Sequence, residues 1–446
     1  MYIPKVISQV VDQDLCTGCG ICIAECTSKS IKMDWNTNGF LVPNQTDKDC
    51  TDEGSCIKVC PFNPFPKPEV RTEDEIAAIF QNESQKFDSK LGKYESIYVG
   101  YSLQYRKTSS SGGLATYFLI ELFDRRIVDA VIVVNYNAND AQFYNYKLIK
   151  SKDDILAASK TRYYPVTLEG ALSELNDFNG KVAIVGVGCF IKAVRLKQYE
   201  NPIFSSKVAF LIGIICGGLK SKYYTDYLAS KIIGTYENID YPEYRIKKPE
   251  NEASDYYFGL DYKKEKHELR MRDVGDMWGT GFFKSNACDF CEDVTSELAD
   301  VSLGDAWLKP YVQEGDGNSI IISRNKLAER ILREGKNQGK LDIETLDNED
   351  VKLSQRGSFN HRQKGLAYRI GRRTRKGKLT PPKRERNLQE VNFYFRLVQF
   401  FRQRTRTKTI DNWNKTKNAI TFEKKMNKEL LVLRIVTKIY HLTRKS

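Results

Sequence analysis

Histidine is scarce in this chain. Only His267, His361 and His441 occur. They lie far apart, no acid–base or nucleophilic constellation forms around them, and none is assigned a role. Long apolar runs are also missing. The best, around 208–219, is too short for a membrane span. No secretory leader is read at the start, where Met1-Tyr2-Ile3-Pro4-Lys5 runs straight into polar sequence. Low-complexity repeats are absent. The expectation is a cytoplasmic protein in a reducing compartment. What the chain does hold is cysteine, eleven in 446 residues. In a reducing compartment, clustered thiols point to metal ligation rather than disulfides. The length suggests about two or three domains.

Charge is unevenly placed. Residues 361–446 carry 25 Lys and Arg against 5 Asp and Glu, a net +20, which leaves residues 1–360 at −7 of the chain's +13. One C-terminal segment therefore supplies all the basic character.

Residues 10–61 read as a bacterial-type ferredoxin of α+β class. Cys16-x2-Cys19-x2-Cys22-x3-Cys26 has the spacing of one iron–sulfur half. Three thiolates share one tight loop, and Gly18 and Gly20 let the backbone turn close to a cluster. Ile31 to Val42 alternates around Asn36-Thr37-Asn38-Gly39 and predicts a β-hairpin. The second run is Cys50-x5-Cys56-x3-Cys60-Pro61. Aligning Cys19-Gly20 with Glu53-Gly54 puts Glu53 where a second cysteine belongs, while the glycine keeps its register. Since the fourth cysteine of each run ligates the other cluster, cluster one is assigned Cys16, Cys19, Cys22 and Cys60. Cluster two is assigned Cys26, Cys50 and Cys56, with Glu53 offering an oxygen. A carboxylate is a harder and weaker ligand for cluster iron. This cluster is therefore either a labile 4Fe-4S or a 3Fe-4S. Thr27 also stands where proline is expected.

Residues 61–72 are proline-dense and read as a semi-rigid linker, and 73–92 as a polar helix. The domain boundaries expected are 1–66 for the ferredoxin part, 67–93 for the linker, 94–345 for an α/β core and 346–446 for a basic helical tail. Within the core, 95–106 reads as a strand. It is followed by Ser109-Ser110-Ser111-Gly112-Gly113 and a helix from Leu114 to Asp124. Such a turn offers free N–H groups and a favourable dipole to an anion, for which a flavin pyrophosphate is the natural candidate. A plain capped helix start reads the same residues equally well. Val128–Val134 reads as a buried strand, and 292–299 as a helix-like acidic run. Four more cysteines remain. Cys189 and Cys216 each end an apolar strand-like run, and Cys288-x2-Cys291 is a pair. They either meet at one metal site or sit in the core as small hydrophobes.

Together these residues resemble the family formed by the beta subunits of coenzyme F-420 hydrogenases and dehydrogenases. Gly186-Val-Gly-Cys189-Phe-Ile-Lys-Ala-Val-Arg195 resembles its G-T-P-C-Q-x-x-x-L-R motif, and Cys216-Gly217-Gly218-Leu-Lys-Ser221 its C-H-G-x-x-S motif. Cys288-x2-Cys291-Glu-Asp, with Ala299-Asp300-Val-Ser-Leu-Gly304-Asp305-Ala-Trp307, resembles its C-x2-C-x-D and A-D-x-S-x-G-D-x-W motifs. Ser111-Gly112-Gly113 and Ser159-Lys160 fall where the family has them. The resemblance covers about residues 10 to 340. It implies FAD in an α/β core, contacted around Ser109–Gly113, Ser159, Lys160 and Asp305. It also implies a cluster held by Cys189, Cys216, Cys288 and Cys291 near the flavin, fed by the ferredoxin module. Val187-Gly188, Phe190 and Gly217 depart from the family's polar residues, which puts deazaflavin specificity in question.

The function expected is an iron–sulfur flavoprotein oxidoreductase that passes electrons between the clusters and FAD for two-electron chemistry on a small molecule. The rival is a non-catalytic subunit relaying electrons to a partner protein. The tail, with 391–404 aromatic and basic and 424–444 amphipathic, suits either a solvated helical extension packed by one face on the core or peripheral contact with an anionic membrane. Any +20 segment retains polyanions, so no specific nucleic acid is expected.

Overall fold

The computed structural model describes residues 2–137 and 142–443. Eight strands form the central sheet: β1 (Ser96–Ser102), β2 (Ala130–Tyr136), β3 (Tyr144–Ile149), β4 (Val182–Val187), β5 (Val208–Ile214), β6 (Val301–Asp305), β7 (Ser319–Ser323) and β8 (Leu341–Thr345). Their order across the sheet is β8-β1-β7-β6-β5-β4-β2-β3. The middle four, β2, β4, β5 and β6, pair in parallel. β3 closes one side antiparallel, and β7, β1 and β8 close the other. The runs that form the parallel strands are rich in Val and Ile because both sheet faces are covered, which removes the need for polar alternation. Along β2, Ala130 and Ile132 pack on one face with Leu172 and Val194. Val131 and Val133 pack on the other with Phe118 and Leu332.

The helices that matter for the site are α1 (Leu114–Asp124), α2 (Gly188–Glu200), α3 (Tyr223–Ile233), α4 (Lys326–Asn337), α5 (Leu366–Thr374), α6 (Phe393–Thr416) and α7 (Ala419–Leu442). A separate three-stranded antiparallel sheet, Asp240–Ile246, Tyr257–Tyr262 and Glu265–Arg270, stands beside the core.

The N-terminal module contains the expected hairpin, Ile31–Trp35 against Leu41–Gln45, and two one-turn helices, Ile21–Ala24 and Ser55–Lys58. Gly20 and Gly54 precede these helices in the left-handed region, at φ 75° and 68°. The two halves thus share one local geometry, and Glu53 replaces a cysteine without a shift of register. The module is docked by backbone bonds: Leu168 N donates to Cys19 O (2.9 Å) and Lys222 N to Gly39 O (2.9 Å). A buried ion pair between Lys197 of α2 and Glu25 adds to them.

Residues 73–92 split into a helix over Glu73–Phe80, opened by a Thr72–Glu75 capping box, and a short hairpin, Lys86–Asp88 with Gly92–Tyr94. Glu73 pairs with Lys192 in the interior (3.1 Å), so this stretch is packed against the core. The acidic run at 292–299 is not a helix. It is a buried loop, with Glu292, Asp293 and Glu297 at most 3% exposed. The Asp293 carboxylate accepts from Glu297 N (3.1 Å), and Ser296 adopts φ 55°. Carboxylates hydrogen-bonding to nearby backbone compete with helix formation. Arg384 from the basic segment pairs with Glu292 (3.3 Å) and Glu297 (2.6 Å).

That basic segment is built into the molecule. α5 packs on the short helix Asn286–Phe290, and α6 and α7 form an antiparallel pair lying on α3. Trp413 is fully buried against Tyr227, Phe283 and Phe422. Arg362, Arg369, Arg373 and Arg384 are each no more than 6% exposed. Among the described residues, no helix is long and apolar enough to cross a membrane.

Candidate functional site

The parallel strands end on one side of the sheet, and the functional side chains gather there, as the open carboxyl ends of such strands favour. A cavity of about 680 Å³ opens above them. Ser109, Ser110, Ser111, Gly113, Ser159, Lys160 and Asp305 all line it. Gly112 does not. It lies behind the wall, its N–H donating to Ser319 Oγ (3.2 Å), and a Cβ there would stand 2.6 Å from Gly100 O.

Two sequence-distant segments are stitched together to make the polar wall. Ser109 and Ser159 hydroxyls are 2.9 Å apart, and Thr161 N donates to Ser110 Oγ (2.9 Å). α1 begins at Gly113 with φ 77° and no side-chain cap. Leu114, Ala115 and Thr116 line the cavity, so the uncapped first turn of an eleven-residue helix faces it. That end carries partial positive charge and unsatisfied N–H groups. Two buried guanidinium nitrogens in the same wall, Arg162 Nε and Arg245 Nε, lack a hydrogen-bond partner among the described residues. A cavity with a helix start, hydroxyls and under-used guanidinium groups suits a phosphate-bearing ligand.

Asp305 is engaged already. It forms an ion pair with Arg245, whose guanidinium also lies over the rings of Tyr256 (5.1 Å) and Trp307 (5.2 Å). Arg245 adopts φ 57° beside a register shift in its strand. Such bulges re-aim side chains next to sites. Lys160 pairs with Glu243 (3.0 Å). Tyr163 and Trp278 add an edge-on aromatic pair at 4.8 Å. No motif flagged Arg245 or Trp278, because folding alone brings their segments to the cavity, while Arg162 and Tyr163 follow closely on the flagged Ser159-Lys160.

Next to the cavity is a small void lined by Cys189, Cys216, Cys288 and Cys291. Cys189 is the second residue of α2, directly after β4, and Cys216 follows β5. The pair Cys288 and Cys291 arrives on the Asn286–Phe290 turn. Backbone N–H groups already point at sulfur: Gly218 N to Cys216 Sγ and Leu219 N to Cys288 Sγ, both 3.2 Å. Burial holds the thiols of Cys189, Cys288 and Cys291 up, Cys291 to about 12, and the neighbouring cysteines add to the shift. Such thiols lose their protons when metal replaces them. Among the described residues no three His, Cys, Asp or Glu side chains close around a single ion. The four cysteines nonetheless line one void.

Val187, Cys216 and Leu219 line both the void and the large cavity, and Thr17 and Phe62 of the N-terminal module line the void too. In that module Cys22 is buried and held high by burial and by Cys19, Cys16 and Cys60. Cys56 faces Cys26 and Cys50. Burial pushes the Cys26 thiol up, but bonds from Ser30 and Ser28 outweigh it and leave it below the ordinary range. Glu53 is held by Thr27, whose Oγ1 donates to its carboxylate (3.0 Å). The two departures from the ferredoxin pattern therefore touch.

Comparison with known proteins follows this layout. Residues 97–173 match the family model for the N-terminal part of the coenzyme F420 hydrogenase/dehydrogenase beta subunit, and residues 179–349 match that for its C-terminal part. The chain belongs to this family of beta subunits. Residues 15–63 match a 4Fe-4S dicluster domain. One subunit of the F(420)H(2) dehydrogenase of Methanosarcina mazei is 23% identical over 73% of this chain and 84% of its own length. The coenzyme F420-dependent sulfite reductase of Methanocaldococcus jannaschii is 25% identical over 74% of this chain, which spans 48% of that protein. In fold, the chain is similar to one from the F420-reducing [NiFe] hydrogenase complex of Methanosarcina barkeri, with TM-score 0.52 and 20% identity over 67% of this chain and 99% of the other. This member of the family is thus an iron–sulfur protein of oxidoreductase type with a mixed α/β core.

Proposed function

We propose that the protein is an iron–sulfur flavoprotein, in which electrons cross the N-terminal module and a core cluster to FAD in the large cavity, for reduction or oxidation of a small molecule. One observation carries the reading. The void lined by four cysteines shares Val187, Cys216 and Leu219 with the cavity and is lined as well by Thr17 and Phe62 of the ferredoxin module. This adjacency supports a path from module to void to cavity. A bound flavin supplies the exchange between one-electron carriers and two-electron chemistry. The chain's own residues do the rest. The first turn of α1, the serines and the guanidinium groups of Arg162 and Arg245 hold phosphate. Trp278, Tyr163 and Trp307 wall the space against water. Lys160 and Asp305, each in an ion pair, set the wall's charge without being free to ligate.

Cys189, Cys216, Cys288 and Cys291 hold the core cluster. Cys16, Cys19, Cys22 and Cys60 hold the inner N-terminal one, and Cys26, Cys50 and Cys56, with Glu53, the outer. Anaerobic purification with iron, sulfide and flavin quantitation tests this directly. We expect flavin absorbance and three clusters, and each single substitution of a core cysteine should remove the same cluster. No flavin absorbance and no stabilisation by added FAD would refute the flavin. A single mutant with full iron and an unchanged spectrum would strike that cysteine from the ligand set.

A second reading keeps the same cofactors and ends the path on a protein partner. It draws on the relatives, one named as a subunit and one as part of a complex. Dithionite titration followed by a screen of deazaflavin, ferredoxin and nicotinamide nucleotides separates the two. Peripheral contact with an anionic membrane is proposed for α7, whose outward face exposes Leu431, Ile435, Ile439 and Leu442 among Lys428, Arg434 and Lys438.

A further inference from the structure

Residues 354–363 lie beyond the matched family regions, which end at 349. They nevertheless run from one half of the site to the other. Ser354, Gln355, Gly357 and Ser358 line the large cavity, and Arg362 lines the cysteine void. Gln355 Nε2 donates to Asp305 O (3.1 Å), which ties this strap to the end of β6.

Arg362 is 4% exposed. Its Nη2 donates to Cys216 O (2.6 Å) and its Nη1 to Asp293 O (2.6 Å), and Nη1 also reaches Cys291 Sγ (3.7 Å). The guanidinium thus bridges two of the three segments that bring the core thiols together. Two carbonyls satisfy hydrogen-bonding geometry but do not neutralise a buried cation. Among the described residues no carboxylate forms an ion pair with Arg362 or with the buried Arg324 and Arg369, but of these three only Arg362 reaches a cysteine sulfur. A fully buried charge is strongly unfavourable without an opposite charge nearby. The groups available to supply that charge are the cysteines themselves, as thiolates around a cluster.

We infer that Arg362 is the counter-charge of the core cluster and raises its reduction potential. The inference rests on the core-cluster reading above. Added electrons make a thiolate-ligated cluster more negative, so a fixed cation beside it stabilises the reduced state. Charge and hydrogen bonds at the sulfurs are among the levers on cluster potential. The segment that carries Arg362 also forms part of the cavity wall, so this extension completes both halves of the site.

The experiment is an anaerobic redox titration of full-length protein followed by electron paramagnetic resonance. The core signal is identified as the one missing from Cys216→Ala. In Arg362→Gln its midpoint should move to a more negative potential, while the N-terminal signals stay in place. Arg362→Lys, which keeps the charge, should stay nearer the wild type. An unchanged midpoint in Arg362→Gln overturns the inference. So does a shift in Arg362→Lys as large as in Arg362→Gln, or loss of the cluster from both variants, since either makes Arg362 a scaffold residue only. If Cys216→Ala has the wild-type spectrum and iron content, the core-cluster reading itself fails first.

Discussion

Glu53 stands where the other half of the N-terminal module has Cys19, and Thr27 Oγ1 donates to its carboxylate. Gly54 keeps the left-handed turn that Gly20 makes in the other half, so position 53 keeps the register of Cys19, and the proposal places it at the second cluster. A carboxylate there is held by Thr27 rather than by a fixed backbone bond. Oxygen is the weaker ligand for cluster iron, and the corner iron of this cluster should leave on exposure to air. Electron paramagnetic resonance of the air-oxidised protein should then show a 3Fe-4S signal, and Glu53→Cys should abolish it. Equal resistance of the two proteins to air, with no such signal in either, would remove Glu53 from the ligand set. Gly113 makes a different demand. At φ 77° an added Cβ would stand 2.6 Å from the carbonyl carbon of Tyr105. The left-handed conformation alone costs an L-residue about 1–2 kcal/mol. Gly113→Ala should lower the melting temperature and release flavin. Retention of flavin at wild-type stoichiometry would show that the α1 turn does not hold it.

At the scale of elements, the α6–α7 pair separates two readings of one amphipathic pattern. The inner face of α7 buries Phe422, Met426 and Leu433. Its outer face leaves Leu431, Ile435, Ile439 and Leu442 between 42% and 61% exposed. Packing on the core therefore consumes only part of the apolar surface. A basic, partly apolar helix face of this kind gains about 1 kcal/mol per cation near an anionic leaflet. Replacing Leu431, Ile435 and Ile439 by serine in the full-length protein should reduce co-sedimentation with phosphatidylserine-containing liposomes and leave its melting temperature near that of the wild type. Unchanged co-sedimentation would mean that the face has no part in membrane contact.

Across the whole molecule, the C-terminal segment answers charges that the rest of the chain buries. Arg384 meets Glu297 and Glu292, and Arg406 meets Asp289 at 3.1 Å. Removing one partner of a buried pair costs about 3–5 kcal/mol, and a domain's whole stability is about 5–15 kcal/mol. A chain ending at residue 360 should therefore lose cooperative unfolding and its core iron together. Circular dichroism melting with iron analysis checks this. A truncated protein that melts cooperatively with its iron in place would show that the segment is dispensable.

The ferredoxin cysteines, the strand runs and the α1 helix are legible in the sequence because each depends on spacing or periodicity within a short window. The glycine turns are legible for the same reason, since a left-handed residue is a local demand. The acidic run at 292–299 has a helix-like local pattern, yet its carboxylates satisfy nearby backbone and distant arginines instead. Arg245 and Arg362 carry no local signal. Their roles arise where segments far apart in sequence meet around a cavity and a void, and a buried charge acquires meaning only from what is buried beside it. Spacing along the chain marks the cysteines of a ferredoxin pattern and a glycine turn that opens a helix. That the basic C-terminal segment packs around the cysteine void emerges only in three dimensions, because desolvation and charge pairing act through space and not along the chain.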